Sequence, residues 1–272
     1  MEEQIGNNES STGSRRGLLL TLSSIIGAIT PLIGSLLIDY ADGEFTYVYL
    51  LSAGMLLPIL IIIFTYFKDF SDPQYDEIDL FHAIRTFWEK LNIRNVFLVH
   101  FSLQMFFVAM VIYTPLYLTQ NIGLSWAEFG IIMFFAQLAY VIFEYPIGII
   151  ADTYIGEKEM MAFGLLILII STSWMSFVTE SDVFTWAVIM FTTRVGASFV
   201  EATTESYFFK QTKSSDAQII SFFRLTRPLS YVAGALIASF ALLYLPFNFI
   251  FLVFAAVMIP AMFFTMNIVD SK

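Results

Sequence analysis

The chain has 272 residues, of which 58% are hydrophobic, 17% aromatic and only 13% charged, with a net charge of −10. Soluble domains carry about a quarter charged residues, so this chain has too few polar side chains to cover a water-facing surface and is read as lipid-facing. The absence of cysteine excludes disulfides, thiolate metal sites and thiol catalysis, while two histidines, His82 and His100, are too few for a histidine-rich metal centre, and the acidic balance argues against nucleic acid as a partner.

Residues 1–16 are polar and acidic until Arg15 and Arg16, without the charged-then-apolar order of a secretory signal. A bilayer core takes roughly 20 apolar helical residues to cross. Eight stretches meet or approach this: 17–38, 45–66, 96–118, 129–150, 160–178, 184–199 with a polar extension, 229–243 with a polar lead-in, and 247–266. The runs are long and continuous, not short and alternating as in a barrel strand. Helices satisfy their own backbone in lipid, so the fold expected is an all-α polytopic membrane helix bundle of about eight transmembrane helices. Lys and Arg fall in alternate connections: Arg15 and Arg16, then Lys68, Arg85, Lys90 and Arg94, then Lys158, then Lys210, Lys213, Arg224 and Arg227, then Lys272. By the positive-inside rule both termini are expected in the cytoplasm.

The one long connection divides the chain into a segment 1–16, two helices in 17–66, a linker 67–94, six helices in 95–268 and a tail 269–272. The linker begins acidic around Pro73 and continues with Ile78, Phe81, Ile84, Trp88 and Leu91 at helical spacing, which predicts an amphipathic helix on the membrane surface. Pro31, Pro58, Pro115, Pro146, Pro228 and Pro260 lie in or beside the spans, where neighbouring helices tolerate kinks.

Between the fourth and fifth spans stand Gly148, Ala151, Asp152, Gly156 and Lys158. This spacing resembles the cytoplasmic signature of the major facilitator superfamily, with Thr153 and Glu157 where the family usually carries Arg. Gly27, Thr30, Pro31, Gly34 and Ser35 resemble a degenerate copy of the Gly-Pro motif of that family's fifth helix. Two helices, a long loop and six helices then match the family's fifth helix to its last. The resemblance implies a complete C-terminal six-helix bundle and an incomplete N-terminal one, read as a truncated frame or as a protein whose missing four helices come from a separate chain. It also implies a substrate held between bundles at midplane.

Ionisable residues at membrane depth are functional candidates. Arg194, Ser198, Glu201 and Glu205 recur at i, i+4, i+7 and i+11, one narrow helix face. Arg194 lies near the bilayer centre, where it binds an anionic group of the substrate or pairs with Glu201. Gln137, Tyr140 and Glu144 share a face of the fourth span, and Glu144, Glu201, Glu205, Arg224 and Arg227 are expected at one depth, as a gate or as a static ion-pair cluster. His100 and Gln104, at i and i+4, are candidates to line the cavity.

The function expected is secondary active transport of a small solute by alternating access, with no cofactor, no metal, the lipid bilayer as surroundings, protons as the candidate coupling ion and the plasma membrane as location. The alternative is a non-transporting relic or assembly partner built from the same bundle. An intramembrane enzyme would need a nucleophile paired with a base, or clustered metal ligands, and no such motif is visible.

Overall fold

The computed structural model describes residues 12–66, 80–212 and 217–269. The N-terminal stretch 1–11, the acidic part of the linker with Pro73 and Ile78, and the tail 270–272 lie outside the described residues. Among those described, every regular element is a helix. The order is α1 (Thr12–Tyr40), α2 (Thr46–Tyr66), α3 (Leu80–Glu89), α4 (Leu91–Asn121), α5 (Trp126–Thr153), α6 (Glu157–Met175), α7 (Val183–Lys210), α8 (Ala217–Arg224), α9 (Thr226–Leu242) and α10 (Ile250–Met266). Eight helical stretches are long and apolar enough to span a bilayer, with α8 and α9 sharing one of them. The all-α polytopic bundle expected from the sequence is the fold observed.

Local chemistry sets several helix ends. Ser125 caps α5: its Oγ accepts the Glu128 N–H at 3.2 Å, and the Glu128 carboxylate accepts the Ser125 N–H at 2.8 Å, a reciprocal capping box. Asp182 caps α7, accepting the Thr185 hydroxyl at 2.6 Å and its N–H at 2.7 Å. These bonds, the hydroxyl foremost, hold its carboxyl below the usual carboxylate range. Within α4 the helix widens to π turns over Ala109–Tyr113 and Tyr117–Asn121. Pro115 has no N–H to donate and its ring displaces the preceding turn. The Thr114 N–H reaches back to the carbonyl of Ala109, and its hydroxyl donates to the same oxygen at 3.2 Å.

α7 packs along α5 on one side and α6 on the other, with α4 and α1 also against it. Lipid gives no hydrophobic push between helices, so close backbone approach through small residues holds them. A Cβ built on Gly164 of α6 would sit 2.5 Å from the Cβ of Phe199 and 2.9 Å from the carbonyl of Gly196, and one on Gly196 would sit 2.7 Å from the N of Leu168. α6 and α7 therefore touch backbone to backbone.

α1 lies antiparallel along α5, with Ser24 bonded to Glu144, Gly27 beside Gln137 and Ser35 pressed on Gly130. α2 has no buried residue and meets the rest chiefly through α1. The linker groups α1 with α2, but packing joins α1 to the bundle and leaves α2 at its edge.

Two expectations are corrected. The surface helix is α3, yet Phe87 is fully buried, 4.9 Å from the Phe97 ring and 4.7 Å from Phe222, while Ile84 and Trp88 stay exposed. Its apolar face is divided between the bundle and the surroundings. The signature residues do not all stand in a loop: α5 continues past Pro146 through Gly148, Ala151 and Asp152 to Thr153, and only Tyr154, Ile155 and Gly156 connect it to α6. Within this segment Gly156 takes a positive φ, +99°, which suits glycine. Lys158 stands in the first turn of α6, and the side chain of Asp152 lies outside what is described.

Candidate functional site: a polar centre between α1, α4, α5 and α7

At the basic end of the bundle, Arg224 at the close of α8 donates to the Glu205 carboxylate at 2.8 Å. Glu144, buried on α5, does not join them. It accepts the Ser24 hydroxyl of α1 at 2.9 Å, because α1 covers the α5 face on which Glu144 sits. Arg227 is exposed and forms no ion pair among the described residues. Glu201 is half-buried and makes no side-chain hydrogen bond among them, but it lies within electrostatic reach of Arg194, Glu205, Arg224 and Arg227. The expected common cluster is thus divided into a Glu205–Arg224 pair and a Glu144–Ser24 contact.

His100 and Gln104 of α4 are bonded to each other and to α7. Gln104 Nε2 meets His100 Nε2 at 3.1 Å, and His100 Nδ1 meets the Thr204 hydroxyl at 3.2 Å. With the Phe223 ring 4.6 Å from the imidazole, this is a satisfied clasp between α4 and α7. Ser198 donates to the Val195 carbonyl of its own helix at 2.8 Å.

The middle of the bundle is different. Arg194 lies about 16 Å along α7 from Val183 at 1.5 Å per residue, half the thickness of a bilayer core of about 30 Å. It is 3% exposed, and its guanidinium carbon stands 5.3 Å from the centre of the Phe106 ring of α4. The pairing with Glu201 that the spacing allows does not form, and Arg194 has no ion pair among the described residues. Its Nη1 is buried with no hydrogen-bond partner, as are the Tyr140 hydroxyl and Gln137 Oε1 on α5. Tyr140 and Glu201 are within electrostatic reach of Arg194.

An unsatisfied buried polar group is disfavoured by about 1–3 kcal/mol, more if charged, so these three atoms are the candidates to meet a ligand's polar atoms. The local code named these three residues but not α1 as the wall that closes over them. Gly27 of α1 stands beside Gln137, where a Cβ would lie in ordinary contact, 3.7 Å from Gln137 Nε2. A separate cleft of about 450 Å³ between α6 and α7, bounded by Ile170, Trp174, Phe184 and Val188, is apolar and has no charged lining residue. It suits lipid better than a polar solute.

The Glu157–Lys210 ion pair, also buried, escaped the sequence reading because its partners open α6 and close α7.

Comparison with curated proteins finds no significant match. The family model described as the Major Facilitator Superfamily matches residues 96–270, nearly the whole stretch from α4 to the end of α10. With its eight apolar helices, the chain belongs to the major facilitator superfamily, whose members carry small solutes across membranes.

Proposed function

We propose that this protein moves its solute by alternating access, binding it beside Arg194, Tyr140 and Gln137 at mid-depth. The observation that supports this reading is the buried Arg194, which has no ion pair among the described residues and whose Nη1 has no hydrogen-bond partner there, together with two further unpartnered polar atoms. The Glu205–Arg224 and Glu157–Lys210 pairs, both at the basic end, then serve as the gate that parts when the site opens to that side. Glu144 and Glu201 are the carboxylates through which a proton would couple to the cycle. The alternation of Lys and Arg supports both termini in the cytoplasm.

The chain has no native cysteine, so a single Gln137→Cys reports on this site alone. In sealed vesicles it should react with a membrane-impermeant thiol reagent added on either side. A Cys at 137 that reacts from neither side would mean a static bundle and would defeat alternating access.

A further inference from the structure

We propose that the solute is a small organic monoanion whose carboxylate is held by the Arg194 guanidinium edge and the Tyr140 hydroxyl. The inference rests on the binding position given above and adds the chemical class of what binds there.

Arg194 can only donate hydrogen bonds, and a phenol donates as readily as it accepts. Both are more than nine-tenths buried, and among the described residues Arg194 Nη1 and the Tyr140 hydroxyl have no hydrogen-bond partner. The Phe106 ring stands 5.3 Å from the guanidinium carbon, so ring atoms occupy one side of the group. Nη1 is the guanidinium nitrogen left to donate, and a guanidinium edge fits a planar carboxylate. A cation at this depth also favours a ligand that brings the missing negative charge.

One cation serves the site, and Glu201 is within its electrostatic reach. Glu144 and Glu201 both lie within electrostatic reach of Tyr140, and two carboxylates beside one cation disfavour the second charge that a phosphate dianion would bring. Gln137 Oε1 is an unpaired acceptor on the same helix as Tyr140. It asks for a donor on the ligand, such as a hydroxyl near the carboxylate. Ser198, His100 and Gln104 are already bonded within the protein and add no competing donor.

The test uses the full 272-residue chain in lipid nanodiscs, with glycolate and benzoate as acids and glycolamide and benzamide as their neutral counterparts. Thermal unfolding and calorimetric titration should show binding of at least one acid and not of its amide. Arg194→Lys should weaken that binding about tenfold or more, the loss of a charged two-point contact. Tyr140→Phe, which removes one oxygen and leaves the packing intact, should weaken it several-fold. Arg85→Gln, on the exposed face of α3, should change nothing. No binding of either acid, equal binding of the amides, or acid binding indifferent to Tyr140→Phe and Arg194→Lys would each overturn the monoanion assignment. Vesicle uptake separates the two readings. An uncharged solute carried in an Arg194-dependent way keeps transport and ends the anion assignment. Acid bound at Arg194 but never carried keeps the site and ends the transport reading.

Discussion

Glu157, the first residue of α6, is fully buried and accepts a hydrogen bond from Lys210, the last residue of α7, at 2.5 Å; Ser206 donates to the same oxygen at 3.3 Å. The carboxylate also lies at the N-terminus of α6 and the ammonium at the C-terminus of α7, each at the helix end whose partial charge favours it. The pair joins α6 and α7 at the basic end, while Gly164 and Gly196 join them nearer the middle.

Removing one member of a buried pair strands the other. Lys210→Met is expected to destabilise the protein by about 3 kcal/mol, read from urea unfolding in detergent micelles. Adding Glu157→Gln to Lys210→Met should recover part of the loss, since no charge is then left buried. A double variant as unstable as the sum of the singles would mean that the two residues act independently.

The α6–α7 contact should resist any side chain. Gly196→Leu places a Cβ within 2.7 Å of the Leu168 backbone N, where no side-chain rotation relieves it. The expected loss is at least the 1–3 kcal/mol typical of overpacking, seen as a lower melting temperature. Gly54→Leu, with no atom within 4 Å of the added Cβ, should leave it unchanged.

Topology is checked with reporters. Fusions ending after Gly43 and after Lys90 are expected on opposite sides of the membrane, Lys90 inside, because α2 lies between them and the basic residues cluster near Lys90. Both reporters on one side would remove α2 as a span.

Asp182 supplies a pH dependence at the start of α7. Its carboxyl titrates below the usual range because the Thr185 hydroxyl and N–H donate to it. The cap therefore stabilises the helix start fully above the unfolded value of about 3.9 and is lost as pH falls through the lower native value. Hydrogen exchange at Thr185 should quicken below that range, after correction for the intrinsic pH effect. In Asp182→Ala the protection should be low at every pH.

How many helices there are, and roughly where, was legible because lipid makes a simple demand: about 20 apolar residues with the backbone bonded internally. The face shared by Arg194, Ser198, Glu201 and Glu205 was legible for the same local reason, the helical repeat. Local sequence did not say which neighbour each face meets. α2 and α10 are equally apolar, yet α2 buries nothing and α10 buries Phe251, Phe254 and Met258. Hydropathy measures compatibility with lipid and is blind to whether lipid or another helix covers the surface.

The partners of the charged groups were likewise decided only in three dimensions. Helical spacing put Glu201 within reach of Arg194 and placed Glu144 at the depth of Arg224. The packing of α1 over α5, set by small residues such as Gly27 and Gly130, instead gave Glu144 the hydroxyl of Ser24, 120 positions away in the chain. The sequence by itself determined the membrane fold, the span order and the residues able to carry charge at midplane. Only the tertiary structure decided that Arg194 has no ion pair among the described residues, because an ion pair depends on how helices rotate and approach, and that is settled by contacts between distant segments.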